Sequence, residues 1–225
     1  MVLSKPNDAS VQKLFDLTGK VFAITGSGRG IGLAIALLYR TTTTVKTAQN
    51  IASLYKTDDR AYQADVTVLK KISTKIDQIA SSLEHAAEEY TSEEFQEVMN
   101  INVNNAFYTA QAAARVFKEQ GFDNVIFTAS VSATLVNTPQ CQASVLTTFP
   151  QYNASKAGVL QLAKSPAVKW VDFCQINCVL PGYMQTQMME YIPARQFASP
   201  YELEGVYLFC ASDASSYMRC SYIEY

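Results

Sequence analysis

The segment Thr25-Gly26-Ser27-Gly28-Arg29-Gly30-Ile31-Gly32 places four glycines in eight residues. Just before it runs Lys20–Ile24 (KVFAI), a short apolar stretch with β-branched and aromatic members that reads as a buried strand. Just after it runs Leu33–Leu38 (LAIALL), which is helix-prone. Strand, glycine-rich turn and helix in immediate succession narrow the chain to α/β architectures. The glycines permit a tight turn and let the backbone approach a pyrophosphate. The helix start adds unpaired N–H groups and a partial positive charge. Glycines alone also suit an ordinary turn; the flanking strand and helix favour the ligand-binding reading.

The rest of the chain continues the alternation. Val45–Lys56 and Thr67–Glu89 have helical spacing, and Arg60–Val66 reads as a short strand ending near Asp65. Thr91 or Ser92 caps a helix with glutamates in its first turn, which runs to about Lys118. Strands are expected at Asp123–Ala129 and Gln175–Leu180, and helices at Tyr152–Trp170 and Pro200–Ala211. The whole predicts a Rossmann-like, doubly wound parallel sheet. Residues 1–16 read as a loose arm and 17–225 as a single domain.

Composition excludes several functions. The net charge of −2 argues against binding nucleic acid through bulk charge. No apolar run approaches the roughly 18 residues of a membrane span, and Met1–Lys20 has no apolar core of the secretory kind. A cytoplasmic protein is expected. The single histidine, His85, lies in a polar stretch and rules out a site needing two, so no metal is expected. Five cysteines, an odd number without a zinc-knuckle spacing, read as buried reduced thiols.

Tyr152-Asn153-Ala154-Ser155-Lys156 places a tyrosine and a lysine one helical turn apart on one face. An ammonium held beside a phenol favours the phenolate, which suits proton exchange nearer neutral pH. A strand ending in Thr128-Ala129-Ser130 precedes the pair, and one leading to Pro181-Gly182-Tyr183 follows it.

With TGSGRGIG at 25–32, ADV at 64–66, NINVNNAF at 100–107, TAS at 128–130, YNASK at 152–156 and PGYMQT at 181–186, the chain resembles the short-chain dehydrogenase/reductase family. More narrowly it resembles fungal NADP-dependent mannitol dehydrogenases and sorbose reductases. That resemblance implies Tyr152 as general acid/base and Lys156 as the residue holding the nicotinamide ribose and assisting proton release. It implies Ser130, rather than the nearby Ser132, on the substrate carbonyl, and Asn102 holding a water in a proton relay. Gly26, Ser27, Arg29, Gly30, Ile31, Gly32, Asp65 and Val66 would bind the cofactor with Tyr152 and Lys156. Pro181, Gly182, Tyr183 and Thr186 would grip its nicotinamide end. Arg29 and Arg40 are placed to meet a 2′-phosphate, so NADP(H) is expected in preference to NAD(H). The implied reaction interconverts a ketose or other small carbonyl compound and its polyol or alcohol, in a homodimer or homotetramer.

Several segments depart from the family pattern. Thr67–Phe95 lacks the usual Asn-Ala-Gly strand end, and the helix from Ile31 runs straight into Tyr39-Arg40. Val145–Gln151 is an insertion just before Tyr152, and Pro166 stands inside a helix. The stretch from Thr186 to Ile192 is short, and Met218–Tyr225 stands where a glycine-rich strand closes the family sheet. The sheet is therefore expected to lack one or two strands and to have a shortened C-terminal end. The alternative reading is a catalytically impaired nucleotide-binding homologue or damaged paralogue.

Overall fold

The computed structural model describes residues 10–17, 20, 22–27, 30–39, 90–136, 141–142, 145–146, 150–184 and 198–225. Along the chain these form α1 (Val11–Leu14), α2 (Gly30–Leu38), α3 (Ser92–Met99), α4 (Asn105–Gln120), β1 (Asp123–Thr128), β2 (Cys141–Gln142), β3 (Val145–Leu146), α5 (Pro150–Lys169), β4 (Cys174–Leu180), α6 (Glu204–Ala211) and β5 (Ser221–Glu224). A π-helical turn at Asn100–Asn104 joins α3 to α4, and 3₁₀ turns occur at Val131–Ala133, Pro200–Leu203 and Asp213–Ser215.

The central sheet has the order β1-β4-β5 and is parallel throughout. Its centre is β4, where all seven residues are buried. Val125 stands opposite Ile176 and Phe127 opposite Cys178. Alternate β4 residues face opposite layers. Cys174, Ile176, Cys178 and Leu180 pack with Phe127, Val159, Leu160 and Ala163, under α4 and α5. On the other face Val179 packs with Leu203, Val206, Tyr207 and Cys210, beside α2 and α6. Gln175 and Asn177 share that second face and are satisfied there. Gln175 Nε2 donates to the Ser215 carbonyl at 2.8 Å, and Asn177 Nδ2 to the Met218 carbonyl at 2.9 Å. Buried amides paired in this way fix the path of the chain around them.

Four findings differ from the sequence reading. Phe22, Ala23 and Ile24 form no strand ladder among the described residues, and Ala23 is exposed. An apolar run becomes a strand only where a neighbouring strand takes up its backbone groups. Ser221–Glu224, by contrast, is a strand: it pairs parallel with β4 and supplies a sheet edge where a lost strand was expected. The arm is not loose over its second half: Ser10 caps α1, which packs on the Asp213–Ser215 turn, and Lys20 Nζ meets Asp213 Oδ1 at 2.9 Å. Pro166 stands inside α5, as the helix expected at Tyr152–Trp170 requires, and α5 continues to Lys169 because only one i→i−4 donor is missing and it falls in the last turns. Of the four cysteines whose side chains are described, Cys174, Cys178 and Cys210 are buried and free, but Cys220 is exposed. Part of the insertion is ordered by its own backbone: β2 and β3 pair antiparallel, and Pro150 and Gln151 open α5. The expected elements at 45–56, 60–66 and 67–89, with His85, lie outside the described residues.

Candidate active site

The candidate residues gather at the C-terminal ends of β1 and β4, where parallel sheets hold ligands. The ladder runs on past both strands: Ala129 N donates to the Val179 carbonyl at 2.8 Å, and Val131 N to the Pro181 carbonyl at 3.1 Å. Ser130 thereby sits beside Pro181. Its Oγ caps the Val131–Ala133 turn by accepting from Ser132 N at 3.2 Å, and the residue is buried. Ser132 is buried as well.

Helix α5 packs against that turn and against the π-helical turn. It carries Tyr152 and Lys156, both half-buried. Lys156 Nζ lies 5.6 Å from the centroid of the Tyr152 ring and 3.4 Å from the Thr128 carbonyl oxygen. The ammonium is thus held between the tyrosine and the end of β1. Asn102 lies within the π-helical turn, a geometry that re-aims side chains out of a regular helix and is frequent at functional sites. Its Nδ2 donates to Ser155 Oγ at 2.9 Å, and that hydroxyl donates to the Tyr152 carbonyl at 2.7 Å. Asn102 is therefore tied to the backbone of the turn bearing Tyr152.

The glycine-rich turn precedes α2. Gly26 and Gly30 have φ of 69° and 57°, which other residues adopt with strain. At Gly32 a Cβ would stand 2.5 Å from the Gly26 carbonyl oxygen, so the helix can begin this close to the turn only with glycine. Ser27 is fully buried and its Oγ donates to the Ile24 carbonyl at 2.7 Å; its side chain shapes the turn from within. Ile31 is half-buried against the second core cluster. A hydrogen-bonded path joins this half to the other. Tyr39 Oη donates to the Tyr207 carbonyl at 2.6 Å, and Tyr207 Oη meets Thr128 Oγ1 at 2.5 Å. Burial pushes both phenols well above their ordinary range.

Past β4, Pro181 is buried while Gly182 and Tyr183 are half-buried. Burial also raises the Tyr183 phenol. Arg29, Arg40, Asp65, Val66 and Thr186 lie outside the described residues. The structure thus brings together Ser130, Tyr152, Lys156, Asn102, Pro181, Gly182 and Tyr183. The glycine-rich turn lies with α2, which packs on α6 and the Pro200–Leu203 turn. Two residues outside the expected set join this group, Thr128 and Ser155. The sequence signal for Ser155 is its place one turn after Gln151 and three residues after Tyr152, on the side of α5 that meets the π-helical turn. Among the described residues no group of histidine, cysteine and carboxylate side chains is arranged to hold a metal ion, and no helix is long and apolar enough to cross a membrane.

Comparison with known proteins gives a consistent picture. A family model described as Enoyl-(Acyl carrier protein) reductase matches residues 69–224. A protein named as a probable NADP-dependent mannitol dehydrogenase of Yarrowia lipolytica is 34% identical, over 92% of this chain and 86% of its own length. That alignment extends over 247 positions, more than the 225 residues here, so the relative carries internal segments that this chain lacks. Sorbose reductase sou1 of Schizosaccharomyces pombe is 34% identical, over 91% of this chain and 93% of its own. Among solved structures, the NADPH-dependent 3-quinuclidinone reductase of Rhodotorula rubra superposes with a TM-score of 0.79 at 27% identity, covering 100% of this chain and 95% of that one. A short-chain type dehydrogenase/reductase from Mycobacterium marinum gives 0.76 at 33% identity, covering 96% and 97%.

Proposed function

The chain belongs to the short-chain dehydrogenase/reductase family, and we propose that it is an NADP(H)-dependent oxidoreductase interconverting a ketose or other small carbonyl compound and the corresponding polyol or alcohol. The observation that carries this reading is the placement of Tyr152 and Lys156 on one face of α5, a helix that packs on the turn capped by Ser130, with Lys156 at the C-terminal end of β1. The glycine-rich turn fits a dinucleotide. Gly32 lets α2 start against Gly26, while a Cβ at Gly26 or Gly30 would meet nothing within 4 Å among the described residues, which leaves room beside the turn for a diphosphate. Gly26, Gly30, Ile31 and Gly32 would hold it through the backbone, with Ser27 fixing the turn. Arg29, Arg40, Asp65 and Val66 complete the proposed adenosine side, and Pro181, Gly182, Tyr183 and Thr186 the nicotinamide side. NADPH, when bound, supplies the hydride.

The chain's own residues supply orientation and the proton. Ser130 holds the substrate carbonyl. The Tyr152 hydroxyl gives its proton to the carbonyl oxygen as that oxygen becomes an alkoxide, and in oxidation the phenolate takes it back. Lys156, held at the end of β1, orients the ribose and stabilises the phenolate. Asn102 keeps the proton route open at the π-helical turn. Residues 17–225 form the proposed catalytic domain, acting in the cytoplasm. Exposed Ala154, Ala157 and Val168 on α5, and Tyr108 and Val116 on α4, favour a homodimer or homotetramer packed through these helices.

The test combines binding with turnover. NADPH is expected to raise the melting temperature, and the wild-type chain to oxidise it with fructose, sorbose or xylulose. Tyr152→Phe should keep the stabilisation and lose about 10²- to 10⁴-fold in kcat. Stabilisation of the wild type without turnover would instead favour the nucleotide-binding alternative.

A further inference from the structure

Tyr225 makes three hydrogen bonds that link separate parts of the chain. Its N–H donates to the Leu180 carbonyl at 3.0 Å, and its carbonyl oxygen accepts from Gly182 N at 2.7 Å. Its phenol donates to the Glu202 carbonyl at 2.8 Å. Gly182 and Glu202 lie on either side, in sequence, of residues 185–197. Pro181–Met184 leads into that segment and Ala198–Leu203 leads out of it. The two stems touch: Met184 and Ala198 form a parallel bridge, and Ala198 N donates to the Tyr183 carbonyl at 3.2 Å.

We propose that Tyr225 is a positioning residue that staples these two stems together and so sets the geometry of Pro181–Tyr183 at the site. The inference rests on the reading that Pro181–Tyr183 face the nicotinamide end of the cofactor. The outgoing stem is rigid enough to serve. Ser199 and Glu202 form a capping box, in which Ser199 N donates to Glu202 Oε2 at 2.6 Å, so holding the Glu202 carbonyl holds the whole turn. The incoming stem is fitted to the staple by its glycine: a Cβ at Gly182 would stand 3.0 Å from the Tyr225 oxygen, and that neighbour is backbone. Glu224 extends the tie to the third part of the site, its Oε1 accepting from Thr134 Oγ1 at 2.8 Å, just after the Ser130 turn. The Tyr225 ring is 50% exposed, so the hydroxyl rather than ring burial makes the link to Glu202.

The experiment compares the full chain with Tyr225→Phe and with Tyr222→Phe, a change on β5 that leaves the Glu202 bond in place. Amide hydrogen exchange is followed without cofactor, and NADPH kinetics are measured separately. Loss of one such bond is expected to speed exchange at Ala198 and Glu202 about 3- to 10-fold in Tyr225→Phe and not in Tyr222→Phe. The KM for NADPH should rise by a similar factor, with kcat and melting temperature close to wild type. Unchanged exchange in Tyr225→Phe, or equal acceleration in Tyr222→Phe, overturns the staple. Accelerated exchange in a chain whose wild type shows no NADPH turnover would leave the staple standing and fail the enzymatic reading instead.

Discussion

Two runs that the sequence reads as strands, Phe22–Ile24 and Cys174–Leu180, have different structural fates. Cys174–Leu180 pairs with β1 over Cys174–Val179 and with β5 over Asn177–Leu180, and every residue in it is buried. Phe22–Ile24 carries no ladder among the described residues. It is held by side chains: Phe22 stacks on Tyr39 at a centroid distance of 4.1 Å, and Ile24 leans on the second core cluster. Burial in a parallel sheet is therefore a property of the neighbours as much as of the run. The half of the site carrying Ser130, Tyr152 and Pro181 rests on the run paired on both sides at its C-terminal end. The glycine-rich turn continues from the other.

The comparison breaks most sharply at its two isoleucines. Ile176 is 1% exposed at the centre of the sheet, whereas Ile24 is half-buried. Ile176→Ala leaves a cavity between β1, α5 and β4, and the expected loss is about 2–5 kcal/mol. Ile24→Ala removes contacts from a partly open place and should cost about 1 kcal/mol. Urea melts of the two variants check this. Equal losses would mean that the turn is as firmly built as the sheet.

A second effect is alkaline. Burial pushes the Cys174 and Cys178 thiols up to about 12 and the Cys210 thiol up to about 11, from an ordinary 9.0. The folded state keeps these thiols protonated, and the unfolded chain releases their protons from about pH 9 upward. Their contribution to stability is then fully present below pH 9 and is lost as pH rises through 9 toward 11 and 12. All three line the core around β4 and none lies in Phe22–Ser27, so the sheet should be the part that fails. A melting temperature that stays flat from about pH 8 to about pH 11 would contradict this linkage. The same burial predicts that a thiol reagent near pH 8 modifies Cys220 and spares Cys174, Cys178 and Cys210, read by mass spectrometry.

Much of the sheet side was legible in the sequence because local signals and tertiary packing agree there. The Thr91–Glu94 capping box, the strand ends at Thr128 and Leu180, and the Tyr152/Lys156 face all lie where their patterns place them. What escaped had no local signature. The strand at Ser221–Glu224 exists because β4 offers a free edge and because Asn177 docks both Met218 and Ser221 across it. The missing ladder at Phe22–Ile24 is likewise decided away from the run itself. The Asn102–Ser155 bond spans 53 residues, and only the packing of α5 on the π-helical turn brings its ends together.

The smallest expected effect tests whether the better-packed side is complete. Gln151 opens α5, is 2% exposed, and shares a face with Ser155 and Gly158, which meet Asn102 and Val103 of the π-helical turn. Its Oε1 is buried and accepts no hydrogen bond among the described residues. A buried acceptor left in that state costs free energy, and an apolar side chain of similar shape removes the cost. Gln151→Met should then stabilise the chain by about 1 kcal/mol, read as a rise of about 2–4 °C in melting temperature. A drop of similar size would mean that the oxygen is served in the native protein and that the face beside Tyr152 is held by a bond rather than by packing. Either sign sharpens the contrast. A rise marks Gln151 as a place on the sheet side where fit was given up, within the segment the sequence shows as inserted just before the tyrosine. A drop makes that insertion a paired part of the catalytic helix.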